Sequence, residues 1–333
     1  MAGTVAIVGA GQIGFAATQA FSSAGWRVRV LARSLPDWPL EEARFESHVA
    51  ERDAAPSADV VVDTIAFDAG DTARYDPSLI GRLILVSSAS VYRDEQGRTL
   101  DEAASSGFPA FPARITEDQP TVGAGSQSYS TRKIAMERDA IARFGQRATI
   151  LRPCAIHGAY SRHPREWWFV KRLLDSRKQI PLAYQGKSRF QTTAAALIGD
   201  AALAAAERRV GGTYNLADAD SPSVIEIGQA ISSRMGMQCA FVPVEGSPAS
   251  GAGRTPWSIP APMILDGSRA IEALGIAPSR YEKAVAPAVD WLACRSTAGR
   301  PVADWRTAFP QLAAYPWDMF DYAAETATPG DME

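Results

Sequence analysis

The sequence predicts an α/β protein with a doubly wound parallel sheet of about seven strands and a smaller C-terminal substrate-binding region. Short apolar segments alternate with amphipathic ones, beginning with an apolar run at residues 5–8, a predicted helix over 13–24 and a second apolar run at 28–31. The run at 59–66 is apolar almost without interruption, which is typical of a parallel strand covered on both faces. The composition agrees, because 333 residues with 46% hydrophobic side chains and a formal charge of −3 suit a globular protein of one or two domains.

A glycine-rich turn follows the first predicted strand and opens the first predicted helix. Its sequence is Gly9-Ala10-Gly11-Gln12-Ile13-Gly14, a Gly-x-Gly-x-x-Gly pattern. Between a strand and a helix, such glycines let the pyrophosphate of a dinucleotide approach the backbone N–H groups at the helix N-terminus. The sequence therefore predicts a Rossmann-type dinucleotide site, and its candidate residues in this turn are Gly9, Gly11, Gln12, Ile13 and Gly14.

The end of the second predicted strand bears on the choice of cofactor. NAD sites usually carry an acidic residue here, which binds the ribose hydroxyls. This chain has Leu31-Ala32-Arg33-Ser34 instead, and an arginine can pair with the 2′-phosphate of NADP. We expect NADP, with NAD as the alternative because Asp37 lies nearby. An exposed arginine without a ligand would also fit this position.

A Tyr-x-x-x-Lys pair supplies the candidate acid/base chemistry. Tyr129 and Lys133 lie in a predicted helix, where this spacing places both side chains on one face, about 6 Å apart along the axis. A nearby ammonium favours ionisation of a phenol. A hydroxyl from the segment 86–92 (Val-Ser-Ser-Ala-Ser-Val-Tyr) could bind the same substrate oxygen. The pair alone is a weak signal, because a solvated helix face often carries the same residues.

The ends of the predicted strands locate the site. Because ligands bind beyond the carboxyl ends of the strands in such sheets, Gly11, Ala66, Ser88 and Tyr129 are expected to converge on one crevice. Asp53 follows the third strand and either meets the adenine or is a solvated acid. The remaining strands are predicted at 45–49, 83–87, 149–152 and 212–216, and an alanine-rich helix at 192–206.

Four motifs occur in the order seen in one protein family. They are the serine-rich segment 86–92, Thr116-Glu-Asp-Gln-Pro120, Tyr129-x-x-x-Lys133 and Leu151-Arg-Pro153, and residues 265–275 are similar to that family's C-terminal signature. In these motifs the chain resembles the extended short-chain dehydrogenases/reductases, the NAD(P)-dependent epimerase/dehydratase family of sugar-nucleotide enzymes, over residues 4 to about 292. The resemblance implies hydride transfer at a carbonyl or secondary alcohol carbon.

The resemblance also implies a catalytic serine. Ser88 corresponds to it, with Ser87 and Ser90 as further candidates. Ser90 is in addition a candidate for substrate contact.

Other roles are carried over in the same way. Tyr129 corresponds to the acid/base tyrosine, and Lys133 to the lysine that holds the nicotinamide ribose and lowers the tyrosine pKa. Pro153 corresponds to a residue of the nicotinamide pocket, and Ala66 is a further candidate for cofactor contact.

Three departures from the family pattern favour a reductase that exchanges NADPH over an epimerase that keeps NAD through each turnover. Val8 stands where the family has its first glycine, Asp63-Thr-Ile-Ala66 replaces His-x-Ala-Ala, and Arg33 replaces the acid after the second strand. The segment 93–128 is long and rich in small residues, so we expect a loop over the active site.

A basic segment at 161–189 indicates an anionic substrate. It carries eight Lys or Arg against two acids, a local charge of +6 in a protein of net charge −3, and a positive field attracts anions. Arg189 is the strongest candidate, because residues 186–190 resemble the family segment whose arginine contacts the substrate phosphate. Arg254 is the second candidate. The solvated face of a helix over 165–176 would explain about half of these charges.

Together these observations predict an NAD(P)-dependent oxidoreductase of the epimerase/dehydratase type that acts on a sugar nucleotide or similar anionic compound. One alternative is an NADPH-dependent ketoreductase for an uncharged secondary metabolite. Another is a non-catalytic NADP-binding sensor, although a sensor has no use for a Ser/Tyr/Lys set.

The predicted organisation is a dinucleotide-binding domain at 1–156, completed by about 190–217, and a substrate-binding region at 157–189 and 218–295, with a C-terminal extension at 296–333. The three histidines and three cysteines lack metal-ligand spacing, so no metal is expected. No apolar run reaches membrane-spanning length, and the mild acidity gives no argument for nucleic acid. We expect a cytoplasmic enzyme and, by analogy with the family, a homodimer through the helix of Tyr129.

Overall fold

The computed structural model of the chain describes residues 3–41, 43–50, 53–247, 251–297 and 304–326. Contacts between residues divide it into two compact units, each assembled from separate stretches of the sequence. The first unit comprises Met1–Ile156, Thr193–Ala217 and Leu265–Pro278, and the second comprises His157–Thr192, Asp218–Ile264 and Ser279–Glu333. The glycine-rich turn and the Ser88, Tyr129 and Lys133 set all belong to the first unit.

A seven-stranded parallel sheet forms the centre of the first unit. The strands of the whole chain are β1 (Thr4–Val8), β2 (Arg27–Ala32), β3 (Arg44–Ser47), β4 (Ala58–Asp63), β5 (Ile80–Val86), β6 (Ala148–Pro153), β7 (Ala155–His157), β8 (Gln179–Leu182), β9 (Thr192–Ala194), β10 (Gly212–Leu216) and β11 (Ala240–Pro243). The sheet has the order β3-β2-β1-β4-β5-β6-β10. Val8 is level with Leu31 of β2 and with Asp63 of β4, so these carboxyl ends share one edge. The strand order reverses between β1 and β4, the place where ligands bind in such sheets.

Helices cover the sheet in two layers. The helices of the whole chain are α1 (Gln12–Ser23), α2 (Ala69–Ala73), α3 (Ala103–Ser106), α4 (Tyr129–Phe144), α5 (Trp167–Leu174), α6 (Ala195–Arg208), α7 (Val224–Met235), α8 (Ser268–Leu274), α9 (Tyr281–Ala284), α10 (Ala286–Thr297), α11 (Trp305–Ala308), α12 (Pro310–Ala313) and α13 (Tyr322–Thr326). In one layer α1 packs on α6 so closely that a Cβ on Gly199 would lie 2.6 Å from the Ala16 carbonyl oxygen. In the other layer α2 packs on α4, and Met136, Ala140 and Phe144 of α4 join the apolar core of the sheet.

The second unit is mainly helical, with β8 and β11 as a short parallel pair. Helices α5, α7 and α10 pack together in it. The C-terminal segment described here, residues 304–326, contributes Trp305, Phe309 and Leu312 to the buried apolar set. Its last helix, α13, brings Glu325 to the buried guanidinium of Arg172 on α5.

The predicted doubly wound parallel sheet of about seven strands is confirmed, and the differences lie at element boundaries. The helix expected over 192–206 begins only at Ala195, because the three preceding residues form β9 and the Thr193 hydroxyl donates to the Leu216 carbonyl oxygen at 2.6 Å. The loop expected over 93–128 contains the short helix α3.

In the described part of the chain, no helix is long and apolar enough to cross a membrane. Nor do three or more His, Cys, Asp or Glu side chains group there as metal ligands would.

Candidate active site

Tyr129 is the first residue of α4, and the sequence fixes this start. Ser128 and Thr131 form a reciprocal capping box, in which the Ser128 hydroxyl accepts the Thr131 N–H and the Thr131 hydroxyl accepts the Ser128 N–H. Tyr129 as a whole is 42% exposed, so a ligand can reach its side chain. Partial burial raises the pKa of Tyr129, a hydrogen bond with the Ser88 side chain lowers this pKa, and the charge of Asp101 raises it.

Lys133 lies one helical turn further along α4 and is buried. Its Nζ is 5.7 Å from the centroid of the Tyr129 ring. The ammonium donates to the Ala66 carbonyl oxygen at 2.6 Å and to the Val86 carbonyl oxygen at 3.1 Å, so it ties the ends of β4 and β5 to the helix. Burial lowers the pKa of Lys133 to about 8.

The expectation that Lys133 lowers the tyrosine pKa stays a prediction. In this structure burial raises the pKa of Tyr129, the hydrogen bond with Ser88 lowers it, and the charge of Asp101 raises it. Two backbone carbonyls hold the Lys133 ammonium, and its Nζ lies 5.7 Å from the centroid of the Tyr129 ring.

The three serine candidates occupy different environments. Ser88 caps a short 3-10 helix (Ala89–Val91), where its hydroxyl oxygen accepts the Ser90 N–H at 3.1 Å and its proton remains available to the phenol. Ser87 is buried and donates to the carboxylate of Glu137 at 2.5 Å. The Ser90 hydroxyl accepts from Ser130 at 2.9 Å. Of the three, only Ser88 is tied to the Tyr129 phenol, so it is the best placed to share a substrate oxygen with it.

A buried network that the sequence analysis missed lies beside these residues. Glu137 follows Lys133 by one turn and pairs with the Arg152 guanidinium at 3.0 Å and 2.5 Å. Arg152 also donates to the Tyr92 hydroxyl at 3.0 Å, which in turn donates to Asn215 at 2.7 Å. An arginine in the apolar strand Ile150-Leu151-Arg152-Pro153 is the sequence signal that could have revealed a buried partner.

The glycine-rich turn is closely packed at two of its glycines and open at the third. Gly9 has φ +105°, and a Cβ there would lie 2.3 Å from the Thr64 hydroxyl oxygen. A Cβ on Gly14 would lie 2.0 Å from the Gly9 carbonyl oxygen, so both glycines are required by the fold itself. Gly11, by contrast, caps α1 with no atom within 4 Å of a Cβ position, which leaves open space at the helix N-terminus. Beside it, the buried Oε1 of Gln12 has no hydrogen-bond partner in the described structure.

The loop after β2 carries a second feature that the sequence analysis missed. The Trp38 indole N–H donates to the Ala10 carbonyl oxygen at 3.0 Å, and its ring meets Phe15 edge-on at 5.4 Å. The loop is thereby attached to the glycine-rich turn. Arg33, at its start, is exposed and makes no hydrogen bond or ion pair with the residues that the structure describes. Its guanidinium is available to a ligand.

The remaining cofactor candidates lie at the carboxyl edge of the sheet. Ile13 follows Gln12 in the first turn of α1, and Pro153 ends β6. Ala66 donates its N–H to the buried Asp63 carboxylate at 2.8 Å and accepts from Lys133, so it joins the end of β4 to α4. The Asp53 carboxylate accepts the Val49 N–H at 2.7 Å and thereby closes the turn after β3.

The substrate candidates Arg189 and Arg254 belong to the second unit, and each has a partner there. Arg189 pairs with Glu226 at 3.3 Å and donates to the Ser221 carbonyl oxygen. The Arg254 guanidinium lies 4.1 Å from the centroid of the Trp317 ring.

Several charges of the basic segment are compensated within the same unit. Arg172 is buried, pairs with Glu325 and stacks on Trp168 at 3.5 Å. Arg177 also approaches Glu325, at 3.7 Å, and Lys171 pairs with Asp175 at 2.6 Å. The count of +6 over 161–189 therefore overstates the free positive charge, because Glu325 is far outside that window.

By sequence, no family model and no curated protein matches the chain. Solved structures do match it in fold. A UDP-N-acetylglucosamine 4-epimerase from Bacillus cereus has a TM-score of 0.64 at 16% identity, over 88% of this chain and 100% of that one. A UDP-glucose 4-epimerase has a TM-score of 0.63 at 18% identity, over 89% of this chain and 98% of that one. A UDP-glucuronic acid 4-epimerase from Bacillus cereus, solved with UDP-glucuronic acid and NAD, has a TM-score of 0.61 at 16% identity, over 87% and 99%.

The protein therefore has the fold of the NAD-dependent sugar-nucleotide epimerases and dehydratases, nearly from end to end of those chains. The resemblance stated from the sequence motifs is confirmed at the level of this fold.

Proposed function

We propose that the protein is an NADP(H)-dependent oxidoreductase that transfers hydride at a carbonyl or secondary alcohol carbon. One observation carries this proposal. The Ser88 side chain lowers the pKa of the Tyr129 phenol through a hydrogen bond, although the two residues come from a strand end and a helix start, and the Lys133 Nζ lies 5.7 Å from the centroid of the Tyr129 ring. A solvated helix face would not bring a distant serine to the tyrosine.

The glycine-rich turn supports a bound dinucleotide. The open space at Gly11 and the unpartnered Oε1 of Gln12 fit a ligand that approaches the N-terminus of α1 closely. When bound, the dinucleotide supplies the hydride. Gly9, Gly11, Gln12, Ile13 and Gly14 would hold its pyrophosphate side.

The chain's own residues would then handle the substrate oxygen. In the reducing direction the Tyr129 phenol donates a proton to the carbonyl oxygen, and the Ser88 hydroxyl donates a hydrogen bond to the same oxygen. The raised pKa of Tyr129 keeps the phenol protonated at neutral pH, which suits proton donation. Lys133 would hold the nicotinamide ribose while it keeps its position below the tyrosine ring.

NADP is the proposed cofactor, and Arg33 is the residue that supports this choice. Its exposed guanidinium has the chemistry to pair with a 2′-phosphate. NAD is the alternative, since NAD is the cofactor named for the solved structures with this fold. Asp37, near Arg33 in the sequence, keeps that alternative open.

Binding of NADPH and NADH to Arg33→Gln, followed by quenching of protein fluorescence, tests the cofactor. We expect NADPH to bind about tenfold to a hundredfold more weakly and NADH to bind unchanged, because a charge-assisted hydrogen bond contributes about 1.5–3 kcal/mol. Arg27→Gln, at the other end of β2, is the matched control and should change neither affinity. Equal weakening of both ligands in Arg33→Gln would remove the NADP assignment.

For the substrate we propose a sugar nucleotide or a similar anionic compound, with Arg189 and Arg254 as its phosphate contacts. The fold supports this class, because the solved neighbours include epimerases of UDP-sugars. A thermal-shift panel of UDP-glucose, UDP and glucose tests it in the presence of NADPH. We expect UDP-glucose and UDP to stabilise the wild type and Arg208→Ala but not Arg189→Ala. If neither UDP-glucose nor UDP stabilises the wild type, this substrate class is excluded.

A second candidate is a ketoreductase for an uncharged metabolite. It is favoured because several positive charges of the basic segment 161–189 are already paired with acids. Arg172, Arg177 and Lys171 are occupied by acids of the same unit, and Arg189 already has Glu226. Reduction of uncharged ketones at the expense of NADPH, without stabilisation by UDP-sugars, would establish it. Inactivity on both classes, with NADPH bound normally, would favour the non-catalytic sensor.

Two further properties are proposed by analogy with relatives of this fold. We infer a cytoplasmic enzyme that dimerises through α4, whose Ile141 is 45% exposed. Sedimentation of the wild type and of Ile141→Glu would show whether this surface joins two copies.

A further inference from the structure

An acidic side chain from the loop over 93–128 reaches the start of the catalytic helix. The Oδ2 atom of Asp101 accepts the backbone N–H of Ser130 at 2.8 Å, and Ser130 is the residue directly after Tyr129. Helix α4 already has its own capping box, made by Ser128 and Thr131. Asp101 is thus an additional, external hydrogen-bond acceptor at a helix start that does not depend on it for capping.

The loop that carries Asp101 is built around a buried carboxylate. Asp94 is 2% exposed and accepts from the Arg98 side chain at 2.7 Å and from the Arg98 N–H at 2.8 Å. It also accepts the N–H groups of Gln96 and Ala110, each at 3.0 Å. Because one carboxylate binds four donors of the loop, the loop has a defined conformation, and Asp101 has a defined position within it.

The charged groups around Tyr129 come from two elements, its own helix and the loop over 93–128. On its own helix, Lys133 lies below the ring, and Arg132 lies over the ring of Phe67, which itself packs 5.5 Å from the Tyr129 ring. Both cations have other contacts, since Lys133 donates to two carbonyls and Arg132 donates to the Ser126 carbonyl oxygen at 3.1 Å. From the loop comes the carboxylate of Asp101. Nearby like charge disfavours an ionised phenol.

We propose that Asp101 is a positioning residue for Tyr129, which keeps the phenol in its proton-donating form and so extends upwards the pH range in which a carbonyl can be reduced. This inference rests on the proposed function. The physical basis is that the carboxylate accepts the backbone N–H of Ser130, the residue after Tyr129, and so holds a negative charge at the first turn of α4. The charge of Asp101 raises the pKa of Tyr129, in agreement with this role.

Asp101→Asn separates charge from structure. The amide oxygen of asparagine can still accept the Ser130 N–H, whereas the negative charge is removed. We expect the pH profile of kcat/KM for carbonyl reduction, which falls as the phenol ionises, to move to lower pH. The rising limb for alcohol oxidation should move in the same direction. High salt should move the wild-type profile towards that of the variant, because Asp101 and Tyr129 are partly exposed and solvent ions screen their interaction.

Glu102→Gln is the matched control. It removes the same charge one position away, from a side chain that makes no capping hydrogen bond, and should leave both limbs in place. If Asp101→Asn has the wild-type pH profile and full activity, Asp101 serves only as a cap and the inference is wrong.

A spectroscopic titration makes the test independent of turnover. The phenolate absorbance of wild type minus Tyr129→Phe reports Tyr129 alone among the nine tyrosines. The same difference measured in the Asp101→Asn background should titrate at lower pH. An unchanged titration overturns the inference about Asp101. Full activity of Tyr129→Phe would instead overturn the proposed function, so the two failures can be told apart.

Discussion

Tyr129 and Lys133 lie one turn apart on α4, with the lysine Nζ 5.7 Å from the centroid of the tyrosine ring. The ammonium is held by the carbonyls of Ala66 and Val86 at the edge of the sheet. Lys133 is therefore a structural tie between helix and sheet before any ligand binds. The ionisation of the phenol is set by burial, by Ser88 and by Asp101.

Tyr129→Phe should lower turnover by about a hundredfold to ten-thousandfold, because a positioned proton donor contributes that much to such reactions. The phenol is partly exposed and no buried donor is left unpaired, so stability should stay within about 0.5 kcal/mol of wild type. Steady-state kinetics and urea denaturation measure the two effects. Wild-type turnover in this variant would mean that another group donates the proton.

Ser88→Ala and Ser87→Ala should affect different properties although the residues are neighbours, the first mainly turnover and the second mainly stability. Ser88→Ala is expected to lower turnover at least tenfold, because the Ser88 side chain hydrogen-bonds to the phenol. The lost cap of the 3-10 helix should cost about 0.5 kcal/mol of stability, less than the loss expected for Ser87→Ala. Ser87→Ala should lower the free energy of unfolding by about 1–2 kcal/mol, because its buried hydroxyl bonds to Glu137. Turnover and urea denaturation of both variants decide this. The reverse result would make Ser87 the catalytic serine.

Glu137→Gln should destabilise the protein by about 3–5 kcal/mol, because it leaves the buried charge of Arg152 uncompensated. Asp118→Asn is the control, since it removes a carboxylate from an exposed pair with Arg269 and should cost less than about 1 kcal/mol. Chemical denaturation measures both values. Similar small losses in the two variants would show that the Arg152 pair adds little.

Because burial lowers the pKa of Lys133 in the folded state, the free energy of unfolding varies with pH in the alkaline range. The folded lysine loses its proton near pH 8, whereas the unfolded lysine keeps it up to its ordinary pKa of 10.5. Between these values the unfolded state binds more protons, so this group increases the free energy of unfolding as the pH rises, by no more than about 3 kcal/mol. Below pH 8 both states are protonated and the contribution is absent.

Lys133→Met should remove that increment. Other groups titrate in the same range, so the difference in unfolding free energy between wild type and Lys133→Met is the relevant quantity, measured by urea denaturation on either side of the interval. A difference that does not vary with pH would contradict the lowered pKa.

Glu325→Gln should loosen residues 304–326 from the rest of the second unit, because Arg172 then remains buried without an anion. Limited proteolysis should cut this segment at least tenfold faster than in wild type. Asp318→Asn, which removes an exposed carboxylate near Arg306 in the same segment, should leave the cleavage rate unchanged. Equal protection of Glu325→Gln and wild type would show that apolar packing alone anchors the segment.

The parts of the site that could be predicted from the sequence are those encoded within a few residues. The glycine-rich turn and the Tyr129–Lys133 spacing are local patterns, and their geometry follows from a strand, a turn and a helix. Asp101 reaches Ser130 across 29 positions, and Trp38 reaches Ala10 across 28. Sequence periodicity does not predict such contacts, because they depend on the conformations of the loop over 93–128 and of the loop after β2.

The basic segment shows the same limit for charge. A count over 161–189 assumes that charges close in sequence act together. Arg172 meets Glu325 across 153 positions, so the acid that compensates it lies outside any local window. A substrate inferred from local charge has to be weighed against acids that arrive from elsewhere in the chain.

The division of the first unit into three stretches of sequence has a consequence for the newly made protein. Residues 1–156 leave the ribosome well before β10, the strand that pairs with β6 at one edge of the sheet, and before the stretch that ends at Pro278. Until then β6 offers an unpaired edge, which is a site of misassociation. Most of the chain must therefore be synthesised before the first unit can be completed, and a fragment that stops at residue 156 should not be stable by itself.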